Sequence, residues 1–470
     1  RLEMKKFWEK HDLIKVSGLM VLLSVILTWI IPQGYFYSGS IQVGEITRVG
    51  IFDFFNYGLL GMYYFTVLVT FLFVLGAFYQ VLAKCSGYQK LTDSLAKTFS
   101  GKEYLFVLLV SFIISAITAV TNEYFVMLSV APFFITILRK MGLDKMTGFI
   151  TTFGGILVGI LGSVYNSKVA GMNVSTLSSS YTNYLWVKLV IYGVSFVLFS
   201  LFAILHIRKI KKANKKDIAV IEEVYETKNT TEKKSAWPVA TVLILTAIVG
   251  ILAYLPWEAW GVTIFSTATT KILECKVFDA TIFRYILGNV QAFGKWDIFG
   301  MQILMLIAAL LIKWIYKMSF DDFAESFGEG FKKSGKLVLV MLMAYLVLEI
   351  AVMFPVVPTI VDWFMKLASK FNAILGTIAG LFTSLFSVEY QYTLSLVGSY
   401  LTTAYSDFAK QIPIMLQSTY GLASMFAPSS AILLIGLSYL GITYKEWMKY
   451  IWKFVLAMFI VILVLMVIIC

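Results

Sequence analysis

Long apolar runs, parted by short polar or basic breaks, recur through this chain. Val16 to Ile31, Gly58 to Ala83, Glu103 to Val120, Tyr124 to Leu138, Trp186 to Leu205, Pro238 to Leu255, Met301 to Ile315 and Leu337 to Phe354 are the clearest. A stretch of about twenty apolar residues is what a transmembrane helix needs. Backbone polar groups in lipid must pair internally, which leaves helices or closed barrels. The runs do not alternate residue by residue as barrel strands do, so the sequence predicts an all-α polytopic membrane protein. A hydrophobic share of 59% with 14% charged residues excludes a soluble domain of 470 residues.

The net charge of +12 is carried mainly by loops, as the positive-inside rule places it. It reports orientation toward cytosol and anionic lipid, not a nucleic-acid partner. Arg1, Lys5, Lys6, Lys10 and Lys15 precede the first span, which Pro32 ends, so the N-terminus is expected in the cytoplasm and the chain in the plasma (inner) membrane. No small-residue cleavage site interrupts this span, which reads as a retained anchor. The three cysteines, Cys85, Cys275 and Cys470, lie far apart with no CxxC pair, and predict neither a disulfide framework nor a metal site.

The two halves share a pattern. TNEYFVMLS (Thr121 to Ser129) and SVEYQYTLS (Ser387 to Ser395) both read E-Y-x-x-x-L-S, and the same offset relates Thr136 to Thr402, Gly155 to Gly421 and Ser163 to Ser429. The first copy comprises a short amphipathic stretch (Leu91 to Phe99), a hairpin turning at TNE, a span from Thr147 that breaks near Asn166 and Ser167, and a crossing. The second comprises an amphipathic stretch (Asp362 to Phe371), a hairpin turning at Glu389, a broken span and a last crossing. An odd number of crossings separates the copies, so the second enters from the opposite face and the repeat is inverted. Inverted repeats with discontinuous helices place a substrate site near the bilayer midplane.

The expected segments are a first repeat at 1–206, with its hairpin at about 103–139 and its broken helix at about 147–167; a charged cytoplasmic linker at 207–236; a span and outer loop at 237–297; and a second repeat at 298–470, with its hairpin at about 372–406 and its broken helix at about 412–440. The lysine-rich linker reads as a solvated tether, and Pro256 to Trp296 as an outer loop.

Ionisable groups at membrane depth are costly and mark function. Glu123 and Glu389 sit at the two hairpin turns, which were expected to stop short of a full crossing. Facing one cavity, they would pair with a cationic substrate or hold a coupling proton; as ordinary turns at the headgroups they would do neither. Asn166, Ser163, Ser167, Gln391, Ser429 and Ser430 offer side-chain hydrogen bonds, while amides at helix breaks can receive a carboxylate. Glu349, in YLVLEIAVMF, reads as a scaffold contact, and the glycines of GGILVGILG as close helix packing. The 26 tyrosines and 11 tryptophans read chiefly as interfacial belts.

The order of elements, GILGSVYNSKVAG (Gly159 to Gly171) and APSSAILLIGLSYLGITYKEWMKYIWKF (Ala427 to Phe454) resemble the YfcC family of basic amino-acid antiporters. That family is related to the anaerobic four-carbon dicarboxylate carriers within the ion-transporter superfamily. The resemblance covers nearly the whole chain. It implies a scaffold domain, a transport domain of two opposed hairpins and two broken helices, a homodimer and an elevator-like movement. The family's acidic position at the first hairpin tip corresponds to Glu123, with Asn122 where a second acid often stands, and its Asn-Pro to Asn166 and Ser167, the proline being lost. Its second tip corresponds to Ser387, Val388, Glu389, Tyr390 and Gln391. Its Pro-Thr-Ser-Gly corresponds to Pro428, Ser429, Ser430 and Ala431, and an upstream Asn to Ser424.

The expected function is secondary active transport of a small charged solute, foremost a basic amino acid of the arginine or ornithine type. A four-carbon dicarboxylate, or a receptor or scaffold that no longer transports, are the alternatives. An intramembrane enzyme is disfavoured, because H-E-x-x-H is absent and His11 and His206 are far apart. No P-loop is present, so uphill movement needs exchange or an ion gradient, a proton before sodium; no other cofactor and no metal is expected.

Overall fold

The computed structural model describes residues 11–165, 168–212, 218–225, 227, 234–387 and 389–470. Among them, nine helices are long and apolar enough to cross a membrane. In chain order the elements begin with α1 (Asp12–Ile30), a small antiparallel hairpin of β1 (Gly34–Tyr37) and β2 (Ser40–Val43), α2 (Ile51–Tyr64), α3 (Thr66–Ala83) and α4 (Ser86–Thr98). The first helical hairpin is α5 (Glu103–Thr121) followed by α6 (Tyr124–Met127), a 3-10 turn and α7 (Ala131–Lys140). The first broken helix is α8 (Lys145–Phe149), a π-helical turn at Ile150–Gly154, α9 (Gly155–Gly162) and, past the break, α10 (Val169–Leu177); α11 (Leu185–Lys212) then crosses.

The second half opens with α12 (Trp237–Tyr254), two short helices α13 (Ile264–Glu274) and α14 (Ile282–Leu287), α15 (Ile298–Ile315), the 34-residue α16 (Phe320–Met353) and α17 (Val357–Met365). Its hairpin is α18 (Ala373–Ser384), α19 (Tyr390–Thr393), a π-helical turn at Leu394–Gly398 and α20 (Ser399–Ala404). Its broken helix is α21 (Ile412–Ser424) and α22 (Ala431–Leu440), and α23 (Tyr444–Ile469) closes the chain. The protein is thus an all-α polytopic membrane protein with a hairpin and a broken helix in each half.

Two compact units divide the chain. One comprises residues 1–69, 96–224 and 335–470, and the other 70–95 and 225–334. The second unit is held by close packing of α3 on the first half of α16. A Cβ on Gly76 would lie 2.5 Å from Gly330 O, and one on Gly330 2.5 Å from the backbone of Ala77. Ser334 Oγ donates to Leu72 O at 2.8 Å, and Lys84 pairs with Glu329 at 2.9 Å.

Four sequence expectations need correction. Gly58 to Ala83 is not one span: Phe65 leaves the helix between α2 and α3, where its ring lies tilted against that of Tyr345, 3.9 Å between centres. The second amphipathic element is α17, which ends before Lys366 and so lies earlier than Asp362 to Phe371. The outer segment contains α13 and α14. The linker is not wholly a tether. Lys145 N donates to Ala219 O at 2.9 Å, Arg139 meets Glu223 at 3.1 Å and Ile221 is buried. Asp144 caps α8 there: burial opposes its charge, but His206 at 2.9 Å and two donors of Thr147 outweigh this and hold the carboxyl below its usual value. His206 is therefore a hydrogen-bond partner at a span end.

The first unit is close-packed where its broken helices cross. The glycines of GGILVGILG pack as expected: a Cβ on Gly159 would fall 2.4 Å from Thr118 Cβ and one on Gly162 2.5 Å from the Tyr192 ring. Gly421, on α21, lies against the backbone of α9, since a Cβ there would come 2.4 Å from Leu161 Cα. Backbone cannot swing away as a side-chain end can, so Gly421→Ala is expected to cost about 1–3 kcal/mol. Gly193 in α11 has open space around it, and Gly193→Ala should be neutral or gain up to ~1 kcal/mol. Thermal unfolding of the two variants side by side checks the contrast, and equal midpoints would contradict it.

Candidate functional site

Both hairpin tips and both helix breaks meet inside the first unit. At the first tip the chain reverses through Asn122, whose φ of 54° and ψ of 26° lie in the left-handed region that Asn tolerates better than most residues. The arms of this hairpin are longer than expected. The first, α5, has 19 residues, nearly a full crossing, whereas α18 in the second hairpin has 12. Asn122 is nevertheless only 2% exposed, so this turn is enclosed by the protein.

Helix α9 ends at Ser163, also left-handed with φ 35°. A helix end leaves carbonyls without partners, and here the other half of the chain supplies one. Gln417 Nε2 of α21 donates to Ser163 O at 2.9 Å, while Ser163 Oγ donates to Ile160 O at 2.6 Å and lies 3.4 Å from Asn122 Oδ1. Asn173 Nδ2 of α10 donates to Gln417 Oε1 at 3.4 Å, and Tyr390 OH donates to Asn173 Oδ1 at 2.7 Å. Asn122, Ser163, Gln417, Asn173 and Tyr390 are all at most 4% exposed. One buried polar chain therefore runs from the first hairpin tip, through both broken helices, to the second hairpin. Such networks fix geometry because a missing member leaves desolvated groups unpaired.

The repeat is visible in this wiring. Ser163 and Ser429 occupy equivalent positions, and each ties its helix break to the hairpin of its own half. Ser163 reaches Asn122, and Ser429 Oγ donates to Leu385 O. Ser429 is thus not a helix serine bonded back to its own turn.

The carboxylates are placed as follows. Glu123 Oε2 pairs with Lys168 Nζ at 3.1 Å, and that ammonium also lies 5.7 Å from the Tyr124 ring centre. Glu389 Oε1 accepts from Tyr345 OH at 2.7 Å, and its Oε2 accepts from Gln391 Nε2 at 3.2 Å. Glu389 lies within electrostatic reach of both Lys168 and Glu123. The tips thus bring two acids and one lysine together. Tyr124 and Tyr420 join through their hydroxyls beside them, with the Tyr390 ring 5.5 Å from that of Tyr420.

Next to this charged cluster is a cleft lined by Tyr124, Tyr420, Ser384, Ser387, Ser424, Ser429 and Ser430, floored by Ala431 and Ile432 at the start of α22. Ser430 does not cap that helix with its side chain, so the first-turn amides remain donors facing the cleft, at the positive end of the helix dipole. Ser387 Oγ lies 2.5 Å from Thr393 Oγ1, and Ser424 Oγ bonds back to Gly421 O at 2.6 Å. The site therefore has a carboxylate pole and a pole of hydroxyls and amides.

Of the residues expected at the site, Asn122 and Ser163 fall in the buried polar chain, Glu123, Glu389 and Gln391 in the charged cluster, and Ser387, Ser424, Ser429 and Ser430 at the cleft. Asn166, Ser167 and Val388 lie outside the described residues. Sequence reasoning gave no role to Gln417, Asn173, Lys168 or Tyr345. Gln417 carried a usable signal, being an amide in the otherwise apolar run IPIMLQ. Lys168 lay within the segment GILGSVYNSKVAG without being singled out.

A family model described as C4-dicarboxylate anaerobic carrier, DcuC, matches residues 11–388. Among solved structures the chain is similar to the YdaH transporter of Alcanivorax borkumensis, with 12% identity over 97% of each chain and a TM-score of 0.43. It is also similar to MtrF of Neisseria gonorrhoeae, whose structure is described as illuminating a class of antimetabolite efflux pumps. There the identity is 13% over 99% of this chain and 97% of that one, with a TM-score of 0.37. No curated protein matches the sequence at a significant level.

Proposed function

We propose that this chain, which belongs to the C4-dicarboxylate anaerobic carrier family, is a secondary carrier that exchanges or takes up a basic amino acid. The observation that carries this reading is the charge balance at the hairpin tips, where Glu123 pairs with Lys168 at 3.1 Å and Glu389 lies within electrostatic reach of both. With both carboxylates ionised, the two acids and one ammonium among the described residues carry one excess negative charge, and a ligand with one excess positive charge balances it. The substrate's guanidinium or ammonium takes the place of Lys168 against Glu123 and reaches Glu389. Its carboxylate lies against Ser430 and the first-turn amides at the start of α22. Lys168 acts as a resident competitor that closes over Glu123 when substrate leaves.

Family membership supports a carrier in place of an enzyme, and with it a multi-pass protein of the plasma membrane; the basic residues before the first span favour an N-terminus in the cytoplasm. The homodimer and the elevator-like movement implied by the YfcC resemblance belong to the same reading. The family's description favours a second substrate class, a four-carbon dicarboxylate. In that case Lys168 and the α22 amides would hold the two carboxylates, and the two glutamates would have to be neutralised.

The test is uptake of labelled arginine into vesicles containing the reconstituted protein. Saturable uptake competed by ornithine and not by succinate is expected. Competition by succinate alone would transfer the site to the second reading, and no saturable uptake of either would leave a protein that does not transport.

A further inference from the structure

A second carboxylate system lies outside the substrate cluster. Glu349 is on α16, one turn after Tyr345, so the two side chains share a helix face. Tyr345 is the residue that donates to Glu389 Oε1 at 2.7 Å. Glu349 is 8% exposed and lies inside an apolar run. Helix α2 passes close to it through a glycine: a Cβ built on Gly61 would lie 3.4 Å from Glu349 Cγ.

The groups facing Glu349 can be named element by element. Its own helix presents Tyr345, α2 presents Gly61, and the second hairpin presents Tyr392, which lies within electrostatic reach of both Glu349 and Glu389. Among the described residues no lysine, arginine or histidine pairs with Glu349, and no hydrogen-bond donor reaches it. A buried carboxylate without a partner is stable in a bilayer only as the acid, or while water reaches it. A metal cation such as sodium would need several converging oxygens, whereas a proton needs one.

We propose that Glu349 is the coupling-proton site of the carrier, binding a proton on its carboxylate while buried and releasing it to water when the second hairpin moves off α16. The step is a simple one, carboxylate plus proton giving the carboxylic acid, with no other reactant. The hydrogen bond from Tyr345 to Glu389 links the same face of α16 to the substrate cluster, so movement of the hairpin alters both acids together. This assignment rests on the carrier reading of the preceding site. It differs from the scaffold contact expected for Glu349 from sequence.

The experiment uses the full chain in proteoliposomes and two readouts. Glu349→Gln should lower the ratio of proton-gradient-driven accumulation to substrate-for-substrate exchange about tenfold or more. It should also remove a carboxylic-acid C=O band from the infrared pH titration of the wild-type protein. An unchanged ratio together with an unchanged titration would overturn the assignment. The infrared titration needs no substrate, so it still decides the matter if the wild type exchanges nothing, a result that would sink the carrier reading separately. Should the Gln variant fail to fold, Glu349→Asp answers the same question, because moving the acid by one methylene should shift the band, and an unshifted band would overturn the proposal.

Discussion

Glu389→Gln is expected to lower the transport efficiency for arginine by roughly thirtyfold to a few thousandfold, the range that corresponds to about 2–5 kcal/mol for removing one partner of a desolvated charge pair. The substitution is close to isosteric. Its amide oxygen still accepts from Tyr345, so the hydrogen bond to Glu389 Oε1 at 2.7 Å has a replacement and the hairpin tip keeps its anchor. What is lost is charge. Glu123→Gln should have an effect of the same order for a second reason: it leaves Lys168, now 3.1 Å from Glu123, without its anion, so a like charge faces the incoming substrate cation. The pair of variants also separates the two substrate classes. If the cluster serves a dicarboxylate, neutralising either acid should raise succinate transport, because an opposing charge has gone. Uptake measured at several arginine concentrations in both variants decides this, and near wild-type values in both would remove the glutamates from the site.

The second large effect is expected at Gln417. Gln417→Leu keeps the volume but orphans two buried groups, the carbonyl of Ser163, to which its amide donates at 2.9 Å, and the Asn173 amide, whose acceptor it is. Each unsatisfied buried group costs about 1–3 kcal/mol, so a combined loss of about 2–6 kcal/mol is expected in thermal or denaturant unfolding of the purified protein. Transport should fall further than stability alone explains. The Ser163 carbonyl closes the first helix break, and Asn173 holds Tyr390 at 2.7 Å directly after Glu389. A variant with wild-type stability would show that the polar chain through the two halves is incidental.

The paired pattern E-Y-x-x-x-L-S located both hairpin tips, and the offset relating Ser163 to Ser429 marked both helix breaks. These were legible because a break or a polar turn stands out against an apolar background. The contacts between the halves were not legible. Gln417 and Asn173 lie 244 positions apart in the chain, and nothing in either local segment shows that they meet. The π-helical turns at Ile150–Gly154 and Leu394–Gly398 also went unseen, since five apolar or small residues read the same in an α-helix as in a π-turn. Phe65 illustrates the same limit. It departs from helical geometry between α2 and α3 with no glycine or proline beside it, and its ring meets that of Tyr345, far along the chain.

Lys168 changes the reading of Glu123 most. From sequence, Glu123 is a lone acid at a turn; in the structure it is paired and shares that lysine's field with Glu389. A resident ammonium in a cluster with two acids gives a physical reason for exchange. On the proposed reading one cation or another occupies the site throughout, and the acids are not left desolvated without a counter-charge.

On the proposed reading, the cluster of Glu123, Glu389 and Lys168 selects a cationic amino acid. Counterflow tests it most directly, with vesicles loaded with unlabelled arginine or ornithine set beside vesicles loaded with succinate, each given the matching labelled solute outside. Transient accumulation of labelled arginine in the first set, with none of labelled succinate in the second, is the predicted result. Accumulation of succinate without arginine would contradict it and assign the site to dicarboxylates held by Lys168 and the amides of α22.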